Sequence, residues 1–138
     1  MILDTSAVIA IVRDEPARGQ LARALVDAVQ CSMSAATRVE LSAVLARSLD
    51  AQDARRADRI LEQARVEVIA FDAEQARIAS EAYRLFGRGS GHRANLNLGD
   101  CFSYALAIAR DEPLLFVGDD FNHTDVRVVA LDTSKRKD

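Results

Sequence analysis

Four carboxylates, Asp4, Glu40, Asp100 and Asp119, lie far apart along this chain, yet each falls where a strand should end or a helix should begin. Asp4 follows Met1-Ile2-Leu3 directly, which puts it at the carboxyl end of a first strand, where open parallel sheets place their ligand sites. Glu40 lies in the second turn of a helix beginning at Ala35, and its neighbours three and four residues away are Ala36, Thr37, Ala43 and Val44. A carboxylate on so small and apolar a face is costly unless something pairs with it. Asp100 opens another helix three residues after Asn97, and Asp119 follows a strand and the turn residue Gly118, with Asp120 beside it as the runner-up for the same role. Each acid also has an ordinary explanation. Asp4 could be a helix N-cap, Glu40 a solvated surface acid, Asp100 a first-turn acid favoured by the helix dipole and Asp119 a turn residue.

Their joint position says more than any one of them. If the strands run parallel, the ends carrying Asp4, Ser34 with Glu40 beyond it, and Asp119 share one edge of the sheet, and the helix start at Asp100 can face that edge. Three or four crowded carboxylates raise one another's pKa and cannot all stay ionised without compensation. A hard cation supplies it, and oxygen ligands without His or Cys favour Mg²⁺ or Mn²⁺ over Zn²⁺. Such an ion keeps waters, binds a phosphate oxygen and lowers the pKa of an attacking water, so phosphodiester hydrolysis is the natural reaction. Thr5 and Ser6, directly after Asp4, stand where they could orient a water or the phosphate, or simply cap the helix.

The elements that must hold these acids alternate along the chain. Short apolar runs at Ile2 to Asp4, Cys31 to Met33, Val66 to Phe71, Leu114 to Val117 and Val126 to Leu131 read as strands. Helical patterns cover Ser6 to Val12, Ala17 to Val29, Ala35 to Leu49, Asp53 to Ala64, Ala73 to Phe86 and Leu98 to Arg110. Strand and helix in turn is the pattern of a parallel sheet covered on both faces. Asp72 with Gln75 makes a capping-box pattern, Ser34 and Asn97 are N-cap candidates, and Pro16 suits the first turn of its helix. Gly87 to Asn97 reads as an exposed, mobile loop, and 134–138 as a polar tail after a single domain over 1–133.

Composition narrows the class. With 138 residues and 49% hydrophobic content the chain fits one domain with a real core. Lys+Arg 18 against Asp+Glu 21 leaves a net charge of -3, so any attraction for nucleic acid must come from a local basic patch. Cys31 and Cys101 sit in apolar stretches and read as reduced core thiols. Apolar runs fall far short of the ~20 residues of a spanning helix, and no secretory signal opens the chain, so a soluble, cytoplasmic protein without a membrane partner is expected.

The opening Met1-Ile2-Leu3-Asp4-Thr5-Ser6-Ala7 resembles that of PIN-domain nucleases, in particular VapC-type toxins of bacterial toxin-antitoxin pairs. Similar stretches are SAATRVELSAVL around Glu40, FDAEQARIASEAYRLFGRGSGHRANLNLGDCFSYALA through Asp100 and EPLLFVGDDFNHTDV through Asp119, in the family's order and spacing. The resemblance implies an α/β fold, a three-layer α/β/α sandwich with a mainly parallel sheet, and a Mg²⁺- or Mn²⁺-dependent endoribonuclease. It implies that Asp4, Glu40 and Asp100 are the three principal acids and Asp119 the more variable fourth. It also implies a homodimer and a cognate VapB-type antitoxin whose C-terminal segment lies over the active-site groove. The family often has Lys before the Gly-Asp-Asp stretch, where this chain has Val117.

For an RNA substrate, Arg88, His92 and Arg93 in the Gly-rich loop are the candidate phosphate contacts, with Arg13 and Arg38 weaker ones. His123 reads as a surface or turn residue. Two other classes compete. A phosphotransfer domain would want a second acid beside Asp4 or a downstream Lys, and the chain's lysines are Lys135 and Lys137 in the tail. A PIN-like module that binds RNA or a partner without cutting would keep the fold and not need the acids.

Overall fold

The structure, a computed structural model, describes residues 1–131. The polar tail expected over 134–138, with the last two residues of the expected domain, falls outside the described residues. The elements run β1 (Ile2–Leu3), α1 (Thr5–Val12), α2 (Arg18–Asp27), β2 (Ser32–Ser34), α3 (Ala35–Ala46), α4 (Asp53–Gln63), β3 (Glu67–Ile69), α5 (Ala73–Phe86), α6 (Leu98–Arg110) and β4 (Leu114–Leu115), followed by a 3-10 turn, Asp120–His123.

The four strands form one parallel sheet in the order β3-β2-β1-β4, with Ile2 opposite both Ser32 and Leu114, and Met33 opposite Val68. Alternation along the strands divides the core. Leu3, Met33 and Leu115 pack with Val8, Leu21, Leu41 and Ala57 of α1 to α4 on one face. Ile2 and Leu114 pack with Ala79, Ala82, Tyr104 and Leu106 of α5 and α6 on the other. Burial on both faces is why β1 and β4 are uninterrupted apolar pairs rather than alternating ones. The result is the three-layer sandwich, and it aligns the carboxyl ends of β1, β2 and β4 along one edge.

Local chemistry sets the helix starts at that edge. Asp4 and Ser34 both leave their strands in extended conformation and accept a backbone hydrogen bond two residues on, so each ends a strand and caps the helix after it. Asp72 caps α5 through the Gln75 amide, but the Gln75 side chain donates to the Ala70 carbonyl instead of returning to Asp72, so only half a capping box forms.

Three expectations change. Pro16 lies ahead of α2, at the second position of a turn closed by the Arg18 amide on the Glu15 carbonyl, where the fixed φ of proline is equally at home. Val126 to Leu131 makes one parallel bridge, Val128 to Leu114, instead of a strand, because Val126 turns into the core while Arg127 and Val128 stay exposed. The Gly87 to Asn97 loop is not free. Arg88 and Leu96 amides bond the Leu96 and Phe86 carbonyls across its base, and Ala94 and Leu96 are fully buried. Its Gly87 is required by contact, since a Cβ there would lie 2.2 Å from the Tyr83 carbonyl oxygen.

Candidate active site

Asp4 is 3% exposed and its carboxylate is held from both sides. One oxygen, Oδ2, accepts from the Ser6 amide at 3.1 Å and the Ser6 hydroxyl at 2.6 Å, and the other, Oδ1, accepts from the Ser103 hydroxyl of α6 at 2.6 Å. Ser6 is itself fixed, because its oxygen accepts from the Val117 amide just beyond β4. Asp4 is therefore the N-cap of α1, and Ser6 serves it as a donor.

Glu40 reaches towards Asp4 from α3. Its carboxylate accepts a 2.5 Å hydrogen bond from the Thr5 hydroxyl, and it lies over the first turn of α6, in the space above Gly99. A Cβ on residue 99 would stand 1.4 Å from Glu40 Oε2, so only glycine allows this approach. Burial pushes the Glu40 carboxyl above the ordinary range, the Thr5 hydrogen bond opposes this, and the Asp4 charge adds to it.

Asp100 belongs to a complete capping box. Its amide donates to Asn97 Oδ1 at 2.8 Å, and its own carboxylate accepts from the Asn97 amide at 3.0 Å. Half-buried at the helix start, its carboxyl is pushed up to about 7, mainly by burial. The Asn97 hydrogen bond works against the shift, and the charges of Asp4, Asp120 and Glu40 add to it. The three acids expected from the sequence thus feel one another at a single place.

Asp119 and Asp120 divide differently. Asp119 is exposed and turns along its own 3-10 turn, bonded to Asn122 Nδ2 at 3.0 Å and His123 Nε2 at 2.6 Å. These bonds, helped by the charges of His123 and Arg93, hold its carboxyl below the usual range. Asp120 is the neighbour whose charge acts on Asp100. The turn carrying both is anchored by Phe121, buried edge-on against Phe116 at 5.0 Å, and by the Tyr104 hydroxyl bonded to Asp125.

The basic candidates also separate. Arg88 and Arg93 are exposed on the closed loop, and Arg93 lies near enough to Asp119 to act on it. His92 is built into the loop, its Nδ1 accepting from the Ala94 amide at 3.0 Å and its ring edge-on to Phe86 at 5.0 Å. Arg38 points to α4, bonding Ser42 and Asp58, and Arg13 lines a cleft of about 770 Å³ between α1, α2 and α4 that contains none of the four carboxylates.

Sequence reasoning missed Gly99 and Ser103, and named Thr37 only as a neighbour of Glu40. A glycine inside a first helical turn and a serine one turn after Asp100 were the available signals.

The donor set suits a hard divalent cation, being oxygen alone with one carboxyl raised by burial and by the charges beside it. Among the described residues the acids are adjacent but not already drawn into a group of three that could grip an ion. Asp4 accepts from the Ser6 and Ser103 hydroxyls and Glu40 from the Thr5 hydroxyl.

The PIN domain family model matches residues 1–127. Ribonuclease VapC42 of Mycobacterium tuberculosis is 52% identical over 127 residues, covering 92% of this chain and 97% of that protein. Ribonuclease VapC28 of the same species is 50% identical over 127 residues, covering 92% and 96%. Two solved structures share the fold at 18% identity: VapBC2 from Rickettsia felis bound to a DNA fragment from their promoter, with TM-score 0.73 over 95% of this chain and 98% of that one, and Mycobacterium tuberculosis VapC20, a sarcin-ricin loop cleaving toxin, with TM-score 0.71 over 93% and 97%. A family match across nearly the whole described chain, joined to relatives at half identity, settles its membership: the chain belongs to the PIN domain family, as a VapC-type member.

Proposed function

We propose that this chain is a Mg²⁺- or Mn²⁺-dependent endoribonuclease, the toxin of a type II toxin-antitoxin pair neutralised by a cognate VapB-type antitoxin. The observation that carries the reading is the meeting of Asp4, Glu40 and Asp100, from the end of β1, from α3 and from α6, where burial first and then the charges of Asp4, Asp120 and Glu40 push the Asp100 carboxyl up to about 7. Relatives named as ribonucleases, and a neighbour described with its antitoxin, support the substrate and the partner.

Asp4, Glu40 and Asp100 would hold the ion, with Asp120 in place of Asp119 as the fourth acid. When bound, the ion supplies charge neutralisation at the phosphate and a more acidic water. The chain's own groups do the rest. The raised Asp100 carboxyl favours the protonated form when no ion is bound, which relieves repulsion with Asp4 and Glu40. Thr5 and Ser6 orient the carboxylates of Glu40 and Asp4 rather than a phosphate. Arg88 and Arg93 give the local positive charge an anionic chain needs to hold an RNA backbone. A cytoplasmic homodimer completes the proposal. Among the described residues, no helix is long and apolar enough to cross a membrane.

The test is to incubate the purified chain, free of antitoxin, with total RNA and Mn²⁺ and to map the new 5′ ends. Cleavage at defined positions that disappears with Asp4→Asn, with Asp100→Asn and with excess chelator is expected. Intact RNA, or equal cutting in chelator, would overturn the proposal.

A further inference from the structure

Asp4, Thr37 and Ser103 form a buried hydrogen-bonded line across three elements. Ser103 Oγ lies 2.6 Å from Asp4 Oδ1 and 3.2 Å from Thr37 Oγ1, and both hydroxyl residues are fully buried. An ionised carboxylate only accepts, so Ser103 spends its one proton on Asp4. The second bond then has a fixed direction, with Thr37 donating to Ser103.

The placement of these two residues is what gives the line a role. Thr37 is one helical turn before Glu40 on α3, and Ser103 is one turn after Asp100 on α6, so each shares a face with an acid of the site. The line therefore joins the elements that carry Asp4, Glu40 and Asp100, and it ends on the Asp4 carboxylate itself. Neither Thr37 nor Ser103 has accessible surface from which to touch substrate. Thr37 lies in the first turn of α3, and its hydroxyl reaches across to α6.

We infer that Ser103, with Thr37 behind it, is a positioning residue that sets the spacing of the three acids and orients the Asp4 carboxylate for a divalent cation. The inference rests on the proposed metal-dependent function and adds two residues to it. Loss of the Ser103 hydroxyl frees Asp4 Oδ1 and removes the hydrogen bond that ties α6 to the end of β1. Loss of the Thr37 hydroxyl acts only through Ser103, so its effect is smaller and disappears once Ser103 is gone.

The experiment measures Mn²⁺ affinity by electron paramagnetic resonance of free Mn²⁺, on the full chain, for wild type, Ser103→Ala, Thr37→Val, Thr37→Ser and the Ser103→Ala/Thr37→Val double variant. Far-UV circular dichroism of each metal-free protein accompanies it. Ser103→Ala is expected to weaken Mn²⁺ binding by about 10-fold or more, the scale seen for groups that orient metal ligands. Thr37→Val, close to threonine in shape, should weaken it less, Thr37→Ser should restore it, and the double variant should match Ser103→Ala. Affinity within twofold of wild type in Ser103→Ala, or a Thr37→Val effect that adds in full to it, overturns the inference while leaving the proposed function standing. Failure of the wild-type chain to bind Mn²⁺ overturns both.

Discussion

Gly99 occupies a position where any side chain would compete with the Glu40 carboxylate for the same space. Gly99→Ala should displace Glu40 by more than an ångström and cut RNA cleavage by about 10²-fold, the scale of such a misplacement, with helix content by circular dichroism unchanged. Asp119 and Asp120 give a second contrast at this scale. Asp120→Asn should lower cleavage by about 10-fold, whereas Asp119→Asn, which removes a charge that faces Asn122 and His123 within its own turn, should leave it within about threefold, read from initial rates on one RNA. The places of the acids were legible from the sequence, because periodicity locates the strand end at Asp4, the helix start at Asp100 and the α3 face that carries Glu40. Their hydroxyl partners were not. Ser103 meets Asp4 across nearly the length of the chain, and no local pattern announces such a contact.

Helix α6 carries its own start signal, and that signal shares a residue with the site. Asn97 and Asp100 cap each other's amides, so the carboxylate that would bind a cation also satisfies a helix end. Asn97→Ala should destabilise the metal-free protein by about 1 kcal/mol, measured as the urea midpoint at constant slope, and should loosen Asp100. The order of elements and most helices were readable from apolar spacing and caps, as Ser34, Asp72 and Asn97 show. Where reading failed, a tertiary contact had overridden composition. The Gly-rich stretch after α5 looked mobile by its residues, yet Ala94, Leu96 and the His92–Phe86 contact fold it against the α5–α6 layer. Val126 to Leu131 had a strand's composition, but at the edge of the sheet it pairs at one position only.

At the scale of the whole molecule, the site is bought with stability. Asp100 has its carboxyl raised to about 7 from 3.8, and Glu40 is raised too, so the folded chain keeps protons that the unfolded chain has released. The contribution is fully present below about pH 4, is lost as pH rises towards 7, and is gone above it, where both states are ionised. Urea midpoints of the metal-free protein should therefore fall across that window more steeply in wild type than in Asp100→Asn, and Mn²⁺ at pH 8 should restore the midpoint of wild type alone. The layered fold was legible as a whole because short apolar runs alternate with helical ones, and β1 and β4 are apolar on both faces. The convergence at one edge depended on strand order, β3-β2-β1-β4, which spacing along the chain does not encode. That convergence is tested most directly by following the side-chain carboxyl ¹³C resonances during a Mg²⁺ titration at pH 8. Asp4, Glu40, Asp100 and Asp120 should move together with one shared dissociation constant while Asp119 stays still. Resonances that do not move, or that move with unrelated constants among acids across the surface, would contradict a common carboxylate pocket.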